Sequence, residues 1–302
     1  MAKILITGVN GQVGFELTRS LAPLGEVVAV SRAQLDLSDE AAITALLNHH
    51  QPDVVVNPAA YTAVDKAESD NETAHQVNAI APAAMAQWVR KNDALLVHYS
   101  TDYVFDGEKL EPYIEEDEIN PQSVYGRSKQ QGEEVIANLT ERHIILRTSW
   151  VFGAYGNNFL KTMLRLAAER DALSIVNDQI GAPTSAALIA DVTAHIVRDY
   201  LAFGEEFIDE CCGTYHLAAQ GVTSWHGYAQ HVIGLAEQAG LPLKIKAADV
   251  QGIPSSAYPT PAKRPRNSQL NTEKLQAVFD LLLPKWQDGV NHAFAMIQNS
   301  KG

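Results

Sequence analysis

Lys3-Ile4-Leu5-Ile6-Thr7-Gly8-Val9-Asn10-Gly11-Gln12-Val13-Gly14 stands almost at the start of the chain. Ile4 to Thr7 is a short apolar run of the kind that forms a strand buried on both faces. Three glycines follow at a spacing of three. A chain that must turn tightly, bring its backbone against a pyrophosphate and pack a new helix close to a sheet needs glycine at those places. The helix expected over 12–22 would present free amides and the positive end of its dipole to phosphate. The triplet alone also fits a plain strand-turn-helix. Its place directly after the first strand, at the head of a βαβ pattern, points to a dinucleotide.

That pattern continues. Further strands are expected at 26–30, 53–57, 95–99 and 144–148, with helices at 39–48 (Ser38 as N-cap) and 72–91 between them. Continuous apolar strands alternating with helices predict an α/β fold, a doubly wound parallel sheet of Rossmann type. After residue 150 the alternation loosens. Helices are expected at 157–170, 186–200, 224–239, 272–281 and 285–298, a strand at 214–218 returns to the sheet, and the proline-rich stretch 251–268 reads as loop. The predicted division is a dinucleotide-binding domain over 1–150, with 174–219 returning to it. A smaller, mostly helical C-terminal substrate lobe takes 151–173 and 220–302.

Composition fits a globular protein. Of 302 residues, 46% are hydrophobic and 20% charged, which excludes a mainly disordered chain. The net charge of −13 argues against broad capture of nucleic acid or anionic membrane. The two cysteines, Cys211 and Cys212, are adjacent, which suits a reducing compartment. No run reaches the ~18 apolar residues of a membrane span. The first apolar stretch is too short for a signal peptide, so a cytoplasmic location is expected.

The second strand bears on the choice of cofactor. An acid at its end would bind the ribose 2′-hydroxyl of NAD, and an arginine suits the 2′-phosphate of NADP. Ser31-Arg32 stands there, favouring NADP(H), although Arg32 also reads as an ordinary surface charge. Asp36, with Leu37 beside it, is a candidate neighbour of the adenine. The segment from Asn57 to Thr62, after the third strand, should line the cofactor.

Tyr125 and Lys129 are four apart, hence on one face of a helix. An ammonium near a phenol favours the phenolate. Lowering a phenol from about 10 to neutrality takes about 4 kcal/mol, more than one cation supplies. So tuned, Tyr125 would serve as a general acid toward a carbonyl oxygen. Ser100 or Thr101, at the carboxyl end of the fourth strand, would offer a hydroxyl to that carbonyl, or simply cap the next turn. Lys263-Arg264-Pro265-Arg266 is the densest basic run and suits a diphosphate or a solvated loop. The acidic run from Glu115 to Glu118 reads as a solvated face.

These residues resemble the extended short-chain dehydrogenase/reductases. The carriers are Gly8-x-x-Gly11-x-x-Gly14, Tyr125-x-x-x-Lys129 and Ser100-Thr101-Asp102. Within that family the likeness is to reductases of a dTDP-linked 4-keto sugar. It rests on the segments Ala63 to Glu68, His98 to Phe105, Arg147 to Val151 and Asn177 to Thr184, and on Arg264-Pro265 before Asn267-Ser268. It extends over nearly the whole chain.

The resemblance implies NADPH-dependent reduction of the C4 ketone of dTDP-4-dehydro-β-L-rhamnose, the last step toward dTDP-β-L-rhamnose. It makes Tyr125 the proton donor, Lys129 the holder of the nicotinamide ribose and Thr101 the partner of the carbonyl. Gly8, Gly11, Gln12, Val13 and Gly14 would meet the pyrophosphate, and Ala60, Tyr61, Thr62 and Tyr99 would border the cofactor. Asp102 and Trp150 would contact the sugar nucleotide, with Arg264 on its diphosphate. NADH is allowed as second cofactor and a homodimer as assembly. Magnesium, held between subunits by glutamates in some relatives, has only Glu16 here, since Ala187 and Gln298 stand where others would be sought; no metal ligand set is assigned. Two rivals stay open: a nucleotide-sugar epimerase or dehydratase that retains its NAD, and a non-catalytic NADP-binding regulatory subunit.

Overall fold

The computed structural model describes residues 1–299. Six parallel strands form the central sheet: β1 (Lys3–Ile6), β2 (Glu26–Ala29), β3 (Val54–Asn57), β4 (Leu95–Thr101), β5 (His143–Thr148) and β6 (Gly213–His216). Their spatial order is β6-β5-β4-β3-β1-β2, every neighbouring pair parallel. The chain reverses direction across the sheet between β1 and β3. That switch point opens a crevice at the carboxyl ends of the strands, where folds of this kind bind ligands.

Alternating side chains explain the unbroken apolar runs. Ile4, Ile6, Val54, Val56, Leu95, Val97, Ile144 and Leu146 pack on one face with Leu17, Leu21, Ile189 and Ile196. Leu5, Val55, Leu96 and Ile145 pack on the other with Ile43, Leu47, Met85, Val89 and Ile136. These four strands are therefore covered on both sides. A separate core gathers Phe152, Leu160, Met163, Tyr228, Val232, Trp286 and Val290 from the second half of the chain.

Several local expectations are corrected. The second helix, Glu40–His50, is capped by Asp39, whose carboxylate accepts from the Ala42 amide at 2.9 Å; the Ser38 hydroxyl instead donates to Asp36. The long helix near 72–91 contains a π turn, Gln76–Ile80, between Asn71–His75 and Ala81–Asn92. That turn presents Asn78, which accepts from the Tyr61 amide at 2.8 Å and donates to Ser128 Oγ at 2.9 Å. The proline-rich stretch is not all loop: Gln251–Ile253 pairs in parallel with Ser174–Val176. The acidic run is not merely solvated either. Glu115 accepts from the His216 amide at 2.8 Å, and its carbonyl accepts from Arg147. Among the described residues no helix is long and apolar enough to cross a membrane.

Candidate active site

The glycine turn lies at the switch point. Gly8 has φ +57°, and a Cβ there would sit 2.8 Å from the Cβ of Ala59, just past β3. A Cβ on Gly14 would come within 2.3 Å of the Gly8 carbonyl oxygen. Gly11 caps the helix Gln12–Ser20 without any side chain, so its first amides are left for an outside acceptor. Gln12 points the other way: its Oε1 accepts from Asn158 at 2.9 Å, and Gly156 packs on its side chain. Phe15 stacks on Tyr155, ring centroids 4.3 Å apart. A segment of the second half thus folds over the start of this helix, while Val13 packs into the core beneath.

Other expected cofactor neighbours divide. Ser31 binds Gln34 through its amide and hydroxyl, and Arg32 is exposed beside Asp36. Hydrogen bonds from the Ser38 amide and hydroxyl hold Asp36 below its ordinary value. Leu37 is buried in the core, not open to a ligand. Ala60 is half-buried and Thr62 exposed, while the Tyr61 hydroxyl donates to Asp70 at 2.9 Å. Asn57 does not line a ligand site: it is fully buried between Thr7 and His98. The Tyr99 ring is likewise turned into the core, its hydroxyl 2.7 Å from Thr193 Oγ1, and only its carbonyl faces the site.

The reactive group forms where the helix Val124–Leu139 crosses the ends of β4 and β5. Ser123 caps that helix, accepting from the Gly126 amide at 3.1 Å, so Tyr125 and Lys129 occupy its first two turns on one face. Gly126 is pressed against the Tyr103 carbonyl and Gly132 against that of Asn78, which seats the helix close to both. Burial pushes the Tyr125 phenol up to about 12, with the neighbouring Thr101 hydroxyl opposing.

The expectation that Lys129 lowers the phenol is therefore not met in the protein alone. Lys129 is itself buried and spends its ammonium elsewhere. Nζ donates to the Tyr99 carbonyl at 2.6 Å and lies 3.0 Å from His98 Nε2. Burial pushes Lys129 down to about 8, with the Glu133 carboxylate opposing. Glu133 is held by Arg147 in a buried pair at 2.7 Å. Neither Glu133, Arg147 nor His98 was singled out from the sequence for a role. The signal was a charged or polar residue inside an otherwise apolar strand, as in Leu95-Leu96-Val97-His98 and Ile144-Ile145-Leu146-Arg147.

Around this pair the floor is polar and unsatisfied. Thr101 donates to Asp102 Oδ1 at 3.1 Å, and burial raises the Asp102 carboxyl to about 6. Register sets Thr101 opposite Thr148 and Ser100 opposite Arg147. Ser100 Oγ, Asp102 Oδ2, Thr148 Oγ1 and Ser149 Oγ are buried without hydrogen-bond partners among the described residues. Orphans of this kind each cost about 1–3 kcal/mol unless an outside group meets them.

Trp150 follows with φ +49°, a strained backbone for a bulky residue. Its indole stacks on Trp225 at 3.8 Å and packs on Gly181. Arg264 reaches back from the second half. Its Nη2 donates to Asp65 at 2.7 Å, while Nη1 is buried without a partner. Glu16 pairs with Arg19, and among the described residues no cluster of three or more His, Cys, Asp or Glu side chains is placed to hold a metal.

Comparison with known proteins matches this chain, over residues 2–299, to the family model described as the RmlD substrate binding domain. It is 48% identical over 291 residues to the dTDP-4-dehydrorhamnose reductase of Salmonella typhimurium, covering 95% of each chain. Among solved structures, it matches a dTDP-4-dehydrorhamnose reductase from Clostridium acetobutylicum with TM-score 0.87 and 36% identity, covering 98% of this chain and 99% of the other. A dTDP-4-dehydrorhamnose reductase from Bacillus anthracis, in complex with NADP, matches with TM-score 0.85 and 32% identity over 98% and 99% of the two chains. With its glycine turn, its Tyr125–Lys129 pair and nearly its whole length accounted for, the chain belongs to the dTDP-4-dehydrorhamnose reductase family of extended short-chain dehydrogenase/reductases.

Proposed function

We propose that the protein reduces the C4 ketone of dTDP-4-dehydro-β-L-rhamnose with NADPH, giving dTDP-β-L-rhamnose. The observation that carries this reading is the Tyr125 phenol beside the Thr101 hydroxyl at the carboxyl end of β4, with unpartnered hydroxyls and a carboxylate oxygen on the residues next to Thr101. The glycine cradle fits a dinucleotide, since a Cβ at Gly8 or Gly14 would fill it. When bound there, the nicotinamide supplies the hydride.

The chain's own residues supply position and the proton. Thr101 and Tyr125 together hold the ketone oxygen. A phenol raised to about 12 keeps its proton at neutral pH, so it stands as the donor to the alkoxide that forms. Lys129 has two of its three hydrogens engaged by the protein and one left for a ligand hydroxyl such as the cofactor ribose. Its positive charge, with that of an oxidised nicotinamide, offsets the phenolate left behind. The unpaired Nη1 of Arg264 suits the diphosphate of the sugar nucleotide. No acid follows β2, and Arg32 is free to meet a 2′-phosphate, which supports NADPH over NADH.

An assay with dTDP-4-dehydrorhamnose and NADPH tests this: nicotinamide absorbance should fall in proportion to the sugar consumed. Turnover of the sugar without net oxidation would make the protein an epimerase or dehydratase, and cofactor binding without any turnover would make it a regulatory subunit. For cofactor choice, Arg32→Ala should raise KM for NADPH more than KM for NADH. Equal changes would return Arg32 to an ordinary surface charge.

A further inference from the structure

A buried polar chain crosses the sheet beneath Lys129. Thr7 Oγ1 lies 2.6 Å from Asn57 Oδ1, Asn57 Nδ2 lies 3.1 Å from His98 Nδ1, and His98 Nε2 lies 3.0 Å from Lys129 Nζ. All four side chains are at most 2% exposed. Each sits on a different support: Thr7 just past β1, Asn57 on β3, His98 on β4 and Lys129 on the helix Val124–Leu139. Burial and the neighbouring ammonium hold the imidazole well below its ordinary value, so it is neutral at physiological pH.

A neutral imidazole has one N–H and one lone pair, so it cannot accept at both nitrogens. If Lys129 is an ammonium, Nε2 must accept and Nδ1 must carry the hydrogen. Asn57 then turns its carbonyl to Nδ1 and its amide to Thr7, an exchange that leaves the heavy atoms in place. If Lys129 is a neutral amine, its lone pair can accept, and the pattern can invert. Nε2 donates to Nζ, Nδ1 accepts from the Asn57 amide, and the Thr7 hydroxyl donates to Asn57. Both patterns keep His98 bonded to Asn57 on one side and to Lys129 on the other. They differ by a single proton, released to water as Lys129 is neutralised.

We propose that Thr7, Asn57 and His98 form a tautomeric switch that holds Lys129 in place in either charge state, His98 and Asn57 being positioning residues for it. Other groups around Lys129 are fixed in charge. Glu133, one turn on along the same helix, is paired with Arg147 of β5, the Tyr99 carbonyl faces it from β4, and Tyr125 lies one turn before it with its proton retained. The switch lets the ammonium give up and recover its proton without stranding either nitrogen of the buried imidazole. Its link to turnover rests on the reductase reading; the switch itself does not.

The test is ¹⁵N NMR of the His98 imidazole in the ligand-free protein, titrated from pH 6 to 10. A change from the Nδ1–H to the Nε2–H form as Lys129 titrates is expected, near its value of about 8. Asn57→Asp, which can only accept, should hold His98 as Nδ1–H throughout. One unchanging tautomer in the wild type, or a charged imidazole at pH 7, would overturn the proposal. So would an unaltered switch in Asn57→Asp.

The second arm is the pH profile of kcat. His98→Leu removes the acceptor for the ammonium and should move the alkaline limb down by about one pH unit, roughly a tenfold loss on that limb. His98→Gln, whose amide oxygen replaces Nε2, should restore it. An equal loss at every pH in His98→Leu would mean a merely structural role. The NMR arm needs no substrate, so a failed reductase assay and a failed switch are separate results.

Discussion

Tyr125 and Asp102 show how one buried corner pushes two acids the same way, each toward its protonated form. The phenol is held protonated, which a donor requires, and Tyr125→Phe should cost about 10²- to 10⁴-fold in turnover while leaving NADPH binding intact. Fluorescence titration with NADPH alongside the rate measurement checks both halves. Asp102 is raised to about 6 against an ordinary 3.8, so burial of its charge opposes folding. Its contribution is most favourable below pH 4, where it is protonated folded and unfolded, and is lost as pH rises to 6. At pH 7 the full cost, about 3 kcal/mol, is present. Asp102→Asn should therefore stabilise the protein at pH 7 and bring no gain at pH 4, measured by denaturant unfolding at both. The same variant should be less active, since the orphaned Oδ2 faces the proposed sugar site. Tyr125, Lys129 and Thr101 were legible from spacing and strand position. The raised phenol was not, because spacing says which groups share a face and nothing of how much water each loses.

At the level of elements, the turn after β1 was legible almost atom by atom, since few residues but glycine tolerate φ +57° or a carbonyl at the Cβ position. Gly14→Ala forces the first helix off the Gly8 carbonyl. NADPH affinity should fall by at least tenfold in calorimetry, with the far-ultraviolet circular dichroism retained. The π turn at Gln76–Ile80 had no sequence signature. It exists because Asn78 must reach both the Tyr61 backbone and Ser128, a tertiary demand that local propensity does not encode. The Leu37 and Tyr99 side chains turn into the core, which proximity in sequence does not reveal. Position within a strand gives proximity to a ligand site, but for Tyr99 the pleat decides that the side chain turns toward the core.

For the whole molecule, the first 150 residues were readable from their continuous apolar strands, and the main helices of the second half were readable too, whereas its short strands were not. Short strands such as Val151–Phe152 with Thr184–Ser185 are specified by pairing partners distant in sequence. The Arg264–Asp65 pair joins the proline-rich stretch to the segment after β3 and leaves one guanidinium nitrogen unpaired. Arg264→Ala should raise KM for the sugar nucleotide roughly 10- to 100-fold, the loss of one charge-assisted contact, with KM for NADPH unchanged. Steady-state kinetics on both substrates decides it. The strand order has a further consequence during synthesis. β5 ends at Thr148, but the strand that covers its outer edge starts only at Gly213. At about 5–20 residues per second, the ribosome leaves that edge bare for roughly 3–13 s. The nascent chain is thus most prone to associate with its neighbours while the residues between those strands are being made, and slow codons there would lengthen the hazard.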